Sequence, residues 1–253
     1  MKRTTTEYYK MAVKGAESAR DAISRAEAAY EHGCEVAKGA YEADLLGEKG
    51  YQDRLKELET ERDARIENSL SRILAVADEY DSEMAELGKL DGSRIDDGVM
   101  KLLNSGLQLT NEDWQELANA HKDNHVMTRI LRERYNASRP QEEGAGVTIV
   151  RFGQSPADRS EVFSKFVRTV YHACKSGARP SLSGGGRLKT VTDYYNFIAQ
   201  DSLADMQPYG DESFDNLDKD FPVETENGKV ANVAGKNTDF TPGNFSFNFT
   251  PVR

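Results

Sequence analysis

The chain is poor in the residues that carry chemistry. Among 253 residues there are two cysteines, one tryptophan, four histidines and seven prolines. Cys34 and Cys174 lie in different segments without CxxC spacing, which excludes a disulfide framework and a thiolate zinc cluster. No apolar run approaches the length of a bilayer span. The opening "MKRTTTEYYK" has two early positive charges but no apolar core, so it does not read as a secretory signal. The expectation is a soluble protein made in a cytoplasm, with no membrane association. Lys and Arg number 33 against 43 Asp and Glu, a net charge of −10. No basic stripe is present, which argues against direct contact with nucleic acid.

What remains is helical pattern. Apolar residues make up 38% and charged residues 30%, a balance expected of long, solvated helices. Ala12, Ala16, Ala19, Ile23, Ala26, Tyr30, Gly33, Ala37 and Ala40 alternate steps of four and three, which is a heptad seam of small residues. Tyr51, Leu55, Leu58, Arg62, Ile66, Leu70, Ile73, Ala77, Tyr80, Met84 and Leu87 form a bulkier seam, with a stutter where the steps are all four. Between the seams stand Gly47 and Gly50, suited to a reversal. Small facing large predicts a long antiparallel coiled-coil helical hairpin over 1–89, with one continuous rod as the alternative. Ile66, Leu70 and Ile73 are the candidate association residues of this arm.

The block 90–140 reads as a small helical bundle. Ser93 and Asp96 are spaced like a capping box, Thr110 is a candidate N-cap, and Val126, Ile130, Leu131 and Tyr135 share a face. From 141 to 206 the pattern predicts a short strand at Val147–Phe152 and two helices. The first helix starts on Ser155-Pro156. A glycine-rich hinge at Gly184–Gly186 separates the two, and an amphipathic helix follows it. Residues 207–253 hold few aliphatics, and from Asp201 onward there are ten acidic and four basic residues. This composition predicts an acidic, extended tail. The fold class is therefore mainly α, with minor β and an extended C-terminal tail.

Motifs that mimic sites fail on spacing. In "HKDNH", His121 and His125 are four apart, but Lys122 stands where a zinc protease needs Glu. "DGSRIDDG" places Ile95 and Leu102 where a calcium loop needs oxygen ligands. "SLSGGGRLKT" matches neither a Walker nor a dinucleotide loop. His172 and Cys174 are two apart on a helix and so point to different faces. No constellation meets the geometric requirement for catalysis; the expectation is a non-enzyme with no cofactor and no metal.

The C-terminal "DFTPGNFSFNFTPVR" is different. Phe245, Phe247 and Phe249 alternate with polar residues, and Phe240 stands just before them. The period of two predicts a strand with one aromatic face. It would add to a neighbouring subunit's sheet, fold back on its own chain or stay disordered.

The segment "LTNEDWQELANAHKDNHVMTRILRERY" (109–135), behind a charged coiled-coil arm, resembles uncharacterised helical proteins of tailed bacteriophages of Gram-positive hosts. The resemblance covers 1–138. It implies a virion or head-assembly protein, whose partners are other copies of itself and a capsid or connector protein. No catalytic residue carries over. Internal scaffolding and a permanent place in the virion both remain open. So does a bacterial coiled-coil adaptor unrelated to virions.

Overall fold

A computed structural model describes residues 3–138, 150–177 and 188–225. Three quarters of these residues are helical and no strand occurs among them. Eight α-helices follow in order: α1 (Thr5–Glu42), α2 (Glu48–Leu87), α3 (Asp97–Leu103), α4 (Asn111–Ala120), α5 (His125–Ser138), α6 (Pro156–Ser176), α7 (Val191–Ala204) and α8 (Leu217–Asp220).

α1 and α2 are the long elements, and they run antiparallel along each other. Tyr8 meets Tyr80 edge-on at 5.1 Å, and Tyr41 stacks on Tyr51 at 5.0 Å. The chain reverses between them with Asp44, not a glycine, in the left-handed region at φ 55°. Asp tolerates that conformation, and the amides of Leu45 and Leu46 both bond back to the Ala40 carbonyl. Gly47 caps α2 and Gly50 lies inside its first turn, so the glycines expected to make the reversal stand just beyond it. Gly33 has a separate role: a Cβ there would come within 2.6 Å of Leu58 Cδ2. Arg62 occupies a seam position because its guanidinium lies 4.5 Å from the Tyr30 ring centroid and bonds Asp63 at 2.7 Å.

The main core sits on the proximal half of this pair. Phe163, Phe166, Val167, Val170 and Cys174 of α6 pack against Tyr8, Tyr9, Ala12 and Ala16 of α1, and against Leu70, Ile73 and Tyr80 of α2. α7 closes the layer. It was expected to be amphipathic, but Tyr194, Tyr195, Phe197, Ala199 and Leu203 are buried together with Asp193, Asn196 and Gln200. The polar three are satisfied by capping and by backbone. Asp193 closes a capping box with Thr190, Gln200 donates to the Phe221 carbonyl at 2.6 Å, and Asn196 donates to that of Pro222 at 2.7 Å.

Those last bonds correct the reading of 207–253 as one extended tail. Up to Thr225 the chain is folded: Leu217, Phe221 and Val223 are buried, and Thr225 forms a single antiparallel bridge with Leu188. Acidic composition hid this because a few apolar anchors, spaced by turns, suffice to seat the segment on α7.

The second core joins α3, α4 and α5 around Trp114, Met127, Leu131 and Tyr135. Val150 is buried in it as irregular chain, not as strand; residues 147–149 lie outside the described set. The backbone bonds a strand partner would supply come from Gln115, whose amide accepts from Arg151 N at 2.9 Å and donates to Arg151 O at 3.1 Å. Two further caps differ from expectation. Asp91, not Ser93, caps the 3₁₀ turn Gly92–Arg94, and Asp96 caps α3.

Leu70 and Ile73 are fully buried. Leu70→Ala or Ile73→Ala should each lower stability by about 2–5 kcal/mol, read as a shift of the urea midpoint followed by circular dichroism.

Candidate functional site

Three places merit attention: a groove between the two cores, the polar cluster beneath it, and the outer half of the α1–α2 pair.

The groove has a volume of about 670 Å³ and lies between the C-terminal part of α2, α5 and the start of α6. Met84, Ala85, Val126 and Pro156 give it an apolar floor, while Asp81, Ser160 and His125 are its chemically interesting members. A serine, a histidine and an aspartate in one groove invite comparison with a hydrolase. Nucleophile activation needs the serine hydroxyl hydrogen-bonded to the imidazole. Here Ser160 gives its proton to Asp81, and Ser164 also donates to Asp81, at 3.3 Å. Asp81 therefore ties α2 to α6. Nor do the two histidines of "HKDNH" converge on one ligand: His121 Nε2 faces Asp96 at 4.0 Å, and His125 stacks on Tyr209. Among the described residues no group of three His, Cys, Asp or Glu side chains could hold a metal ion.

Beneath the groove, Arg159 of α6 is only 2% exposed and its partner Glu212 10%, at 2.9 Å. The guanidinium also donates to Thr5 Oγ1 at 2.6 Å and to the Gln207 carbonyl at 2.5 Å. Glu212 accepts in turn from the Thr5 amide at 2.7 Å, one of the amides that a helix start leaves unpaired. One ion pair thus fastens the start of α1, the first turn of α6 and the segment after α7. Neighbouring groups feel the burial. The Tyr9 hydroxyl, bonded to Ser202 at 2.7 Å, is pushed well above the ordinary phenol range. Burial also raises the Cys174 thiol, so the cysteine is inert packing.

The outer half of the α1–α2 pair is bare. The main core reaches Ile23 on α1 and Ile66 on α2. Beyond these, only Ala26, Ala37 and Leu58 are buried. The projection from Ser24 to Glu42 is about 28 Å long at 1.5 Å per residue. It nevertheless carries large apolar side chains in water: Leu45 is 79% and Val36 59% exposed, with Tyr41 beside them.

Of the residues proposed from sequence for association, Leu70 and Ile73 are consumed in the intrachain core, and Ile66 is half-buried at its edge. Phe240, Phe245, Phe247 and Phe249 lie outside the described residues. Val36 and Leu45 were missed, because they stand off the heptad seam and only the three-dimensional layering exposes them. Arg159 and Glu212 were also missed: nothing local marks a pair 53 residues apart.

No protein family, curated protein or solved structure matches the chain.

Arg159→Met leaves Glu212 buried without its cation, which should cost about 3–5 kcal/mol. Adding Glu212→Gln to that variant should recover part of the loss. Urea unfolding of the two variants and the wild type checks both statements.

Proposed function

We propose that this chain is a non-enzymatic structural or assembly protein of a tailed phage particle, associated with the head. Its α1–α2 pair serves as an antiparallel coiled-coil arm whose outer half joins copies of the protein. The observation that carries the reading is the bare projection with Val36, Tyr41 and Leu45 in water, since solvated apolar side chains grouped at one end of an arm favour a protein contact. The 109–135 segment supports the phage context through its resemblance to helical phage proteins. The Phe-rich segment with Phe240, Phe245, Phe247 and Phe249 is assigned to docking on a capsid or connector subunit, by strand addition with rings in pockets. Neither role calls for a cofactor. A scaffolding role is the second reading, favoured by the charged, hydrophilic surface.

Sedimentation should give the wild type a mass above the 28.2 kDa of one chain. Val36→Asp with Leu45→Asp should return it to one chain without loss of helical circular dichroism; a wild-type monomer at micromolar concentration overturns self-association through the arm. Deletion of Asp239–Arg253 should abolish binding to the head subunit while leaving helix content unchanged. Mass spectrometry of particles separates the two readings. A scaffold is found in precursor shells only, and a permanent component in both shells and finished particles.

A further inference from the structure

His125 is the least explained side chain in the fold. It is 7% exposed, and neither ring nitrogen hydrogen-bonds to another described group. A buried imidazole without partners is costly unless something else requires it there. Its ring lies flat on Tyr209, with centroids 4.3 Å apart and planes 12° apart. The Arg159 guanidinium is 5.7 Å from the same Tyr209 ring. Tyr209 belongs to the segment 205–212, which crosses from the end of α7 to the start of α1. Met206 anchors the start of that segment in the main core, and from Gln207 onward it is held by polar contacts. Gln154 and Gln207 bond each other's backbone amides at 2.8 and 3.2 Å. Gly210 N donates to Asp123 at 2.8 Å, and Glu212 and the Gln207 carbonyl bind Arg159. No apolar residue of 207–212 is buried.

We propose that His125 is the acid-sensitive element of a latch: its protonation against Tyr209 and near Arg159 releases residues 207–212 from α1, α5 and α6 while the aromatic core, Met206 included, stays folded. The charges that face the ring come from several elements. Arg159 on α6 and Arg94 on the 3₁₀ turn oppose a positive imidazole, whereas Asp123 between α4 and α5 favours it. Glu212 sits on the Arg159 side of the cluster, and Asp81 of α2 with Arg129 and Glu133 of α5 line the adjoining groove. Burial and the two arginines outweigh Asp123 and hold the imidazole down to about 4, from an ordinary value of 6.5. A histidine depressed in the closed state binds its proton preferentially in the open one. The latch is therefore at full strength above pH 6.5, weakens as pH falls, and levels off near the closed-state value. Over that window each unit of pH shifts the balance toward opening by up to about tenfold. Release uncovers the Arg159 guanidinium and the start of α1, and it frees the stretch that leads to the C-terminal region.

Hydrogen exchange of the full chain, corrected for intrinsic rates, tests the latch. Between pH 6.5 and 5.0, protection of 207–212 should fall about tenfold, while that of 163–170 in α6 is retained. The same fall should be absent in His125→Phe. Constant protection in the wild type, or an equal fall in His125→Phe, overturns the proposal. Should the Phe variant fail to fold, the wild-type imidazole resonance decides. It should remain neutral at pH 5, and a titration near 6.5 overturns the assignment.

Discussion

A guanidinium taken out of water must be given acceptors on every side, and the architecture follows from how this chain does so for Arg159. Desolvating an ion pair costs several kcal/mol, which good geometry and extra hydrogen bonds must offset. Here the extra bonds come from the first turn of α1 and from the segment after α7, through Thr5, the Gln207 carbonyl and Glu212. Satisfying one cation thereby fixes three elements that share no local sequence. The aromatic layer of Tyr8, Tyr9, Tyr80 and Phe163 packs close to that point. The ring pairs Tyr9–Phe166, Tyr9–Phe163 and Tyr80–Phe163 have centroids between 4.4 and 4.9 Å apart. Hydrophobic burial supplies most of the free energy and is non-directional. The ion pair supplies the register.

The molecule divides by layer rather than by sequence block. The inner half of α1–α2 is built into a core with α6 and α7, and its outer half is a projection of two helices. The outer half relies on close backbone approach at Gly33–Leu58, the Tyr30–Arg62 contact and the Tyr41–Tyr51 stack. A seam of alanine buries little area per residue, so the projection is the weaker part of the same helices. That weakness, combined with exposed Leu45 and Val36, fits the proposed contact with another copy.

Periodic signals in the sequence located helices well because amphipathic spacing is a local property. The two seams named Ala12, Ala16, Ala19, Leu58, Leu70 and Ile73, all of them buried. Caps were legible where a side chain acts within its own turn, as at Thr110 and Ser155. What escaped was long-range. Val150–Phe152 has strand composition, yet a glutamine amide on α4 takes the bonds that would have defined a strand. The segment after Gln207 looked too acidic to fold, yet three apolar anchors and the α7 amides seat it. His125 drew notice in the sequence only as half of a failed zinc motif, and Tyr209, returning from far along the chain, stacks on it in the fold. Association residues were inferred from the seam, but a helix covered on its seam by α6 presents different residues to solvent.

The Thr5–Glu212 hydrogen bonds span 207 positions, and Tyr9 meets Phe221 only after nearly the whole described chain has been traversed. As the polypeptide leaves the ribosome, α1 and α2 can pair early, but their aromatic face has no cover until α6, α7 and the turn after them are synthesised. Closing so long a loop is slow and leaves sticky surface waiting. The alanine seam limits that surface: until α6 and α7 arrive, Ala12, Ala16 and Ala19 leave less apolar area waiting than larger side chains would.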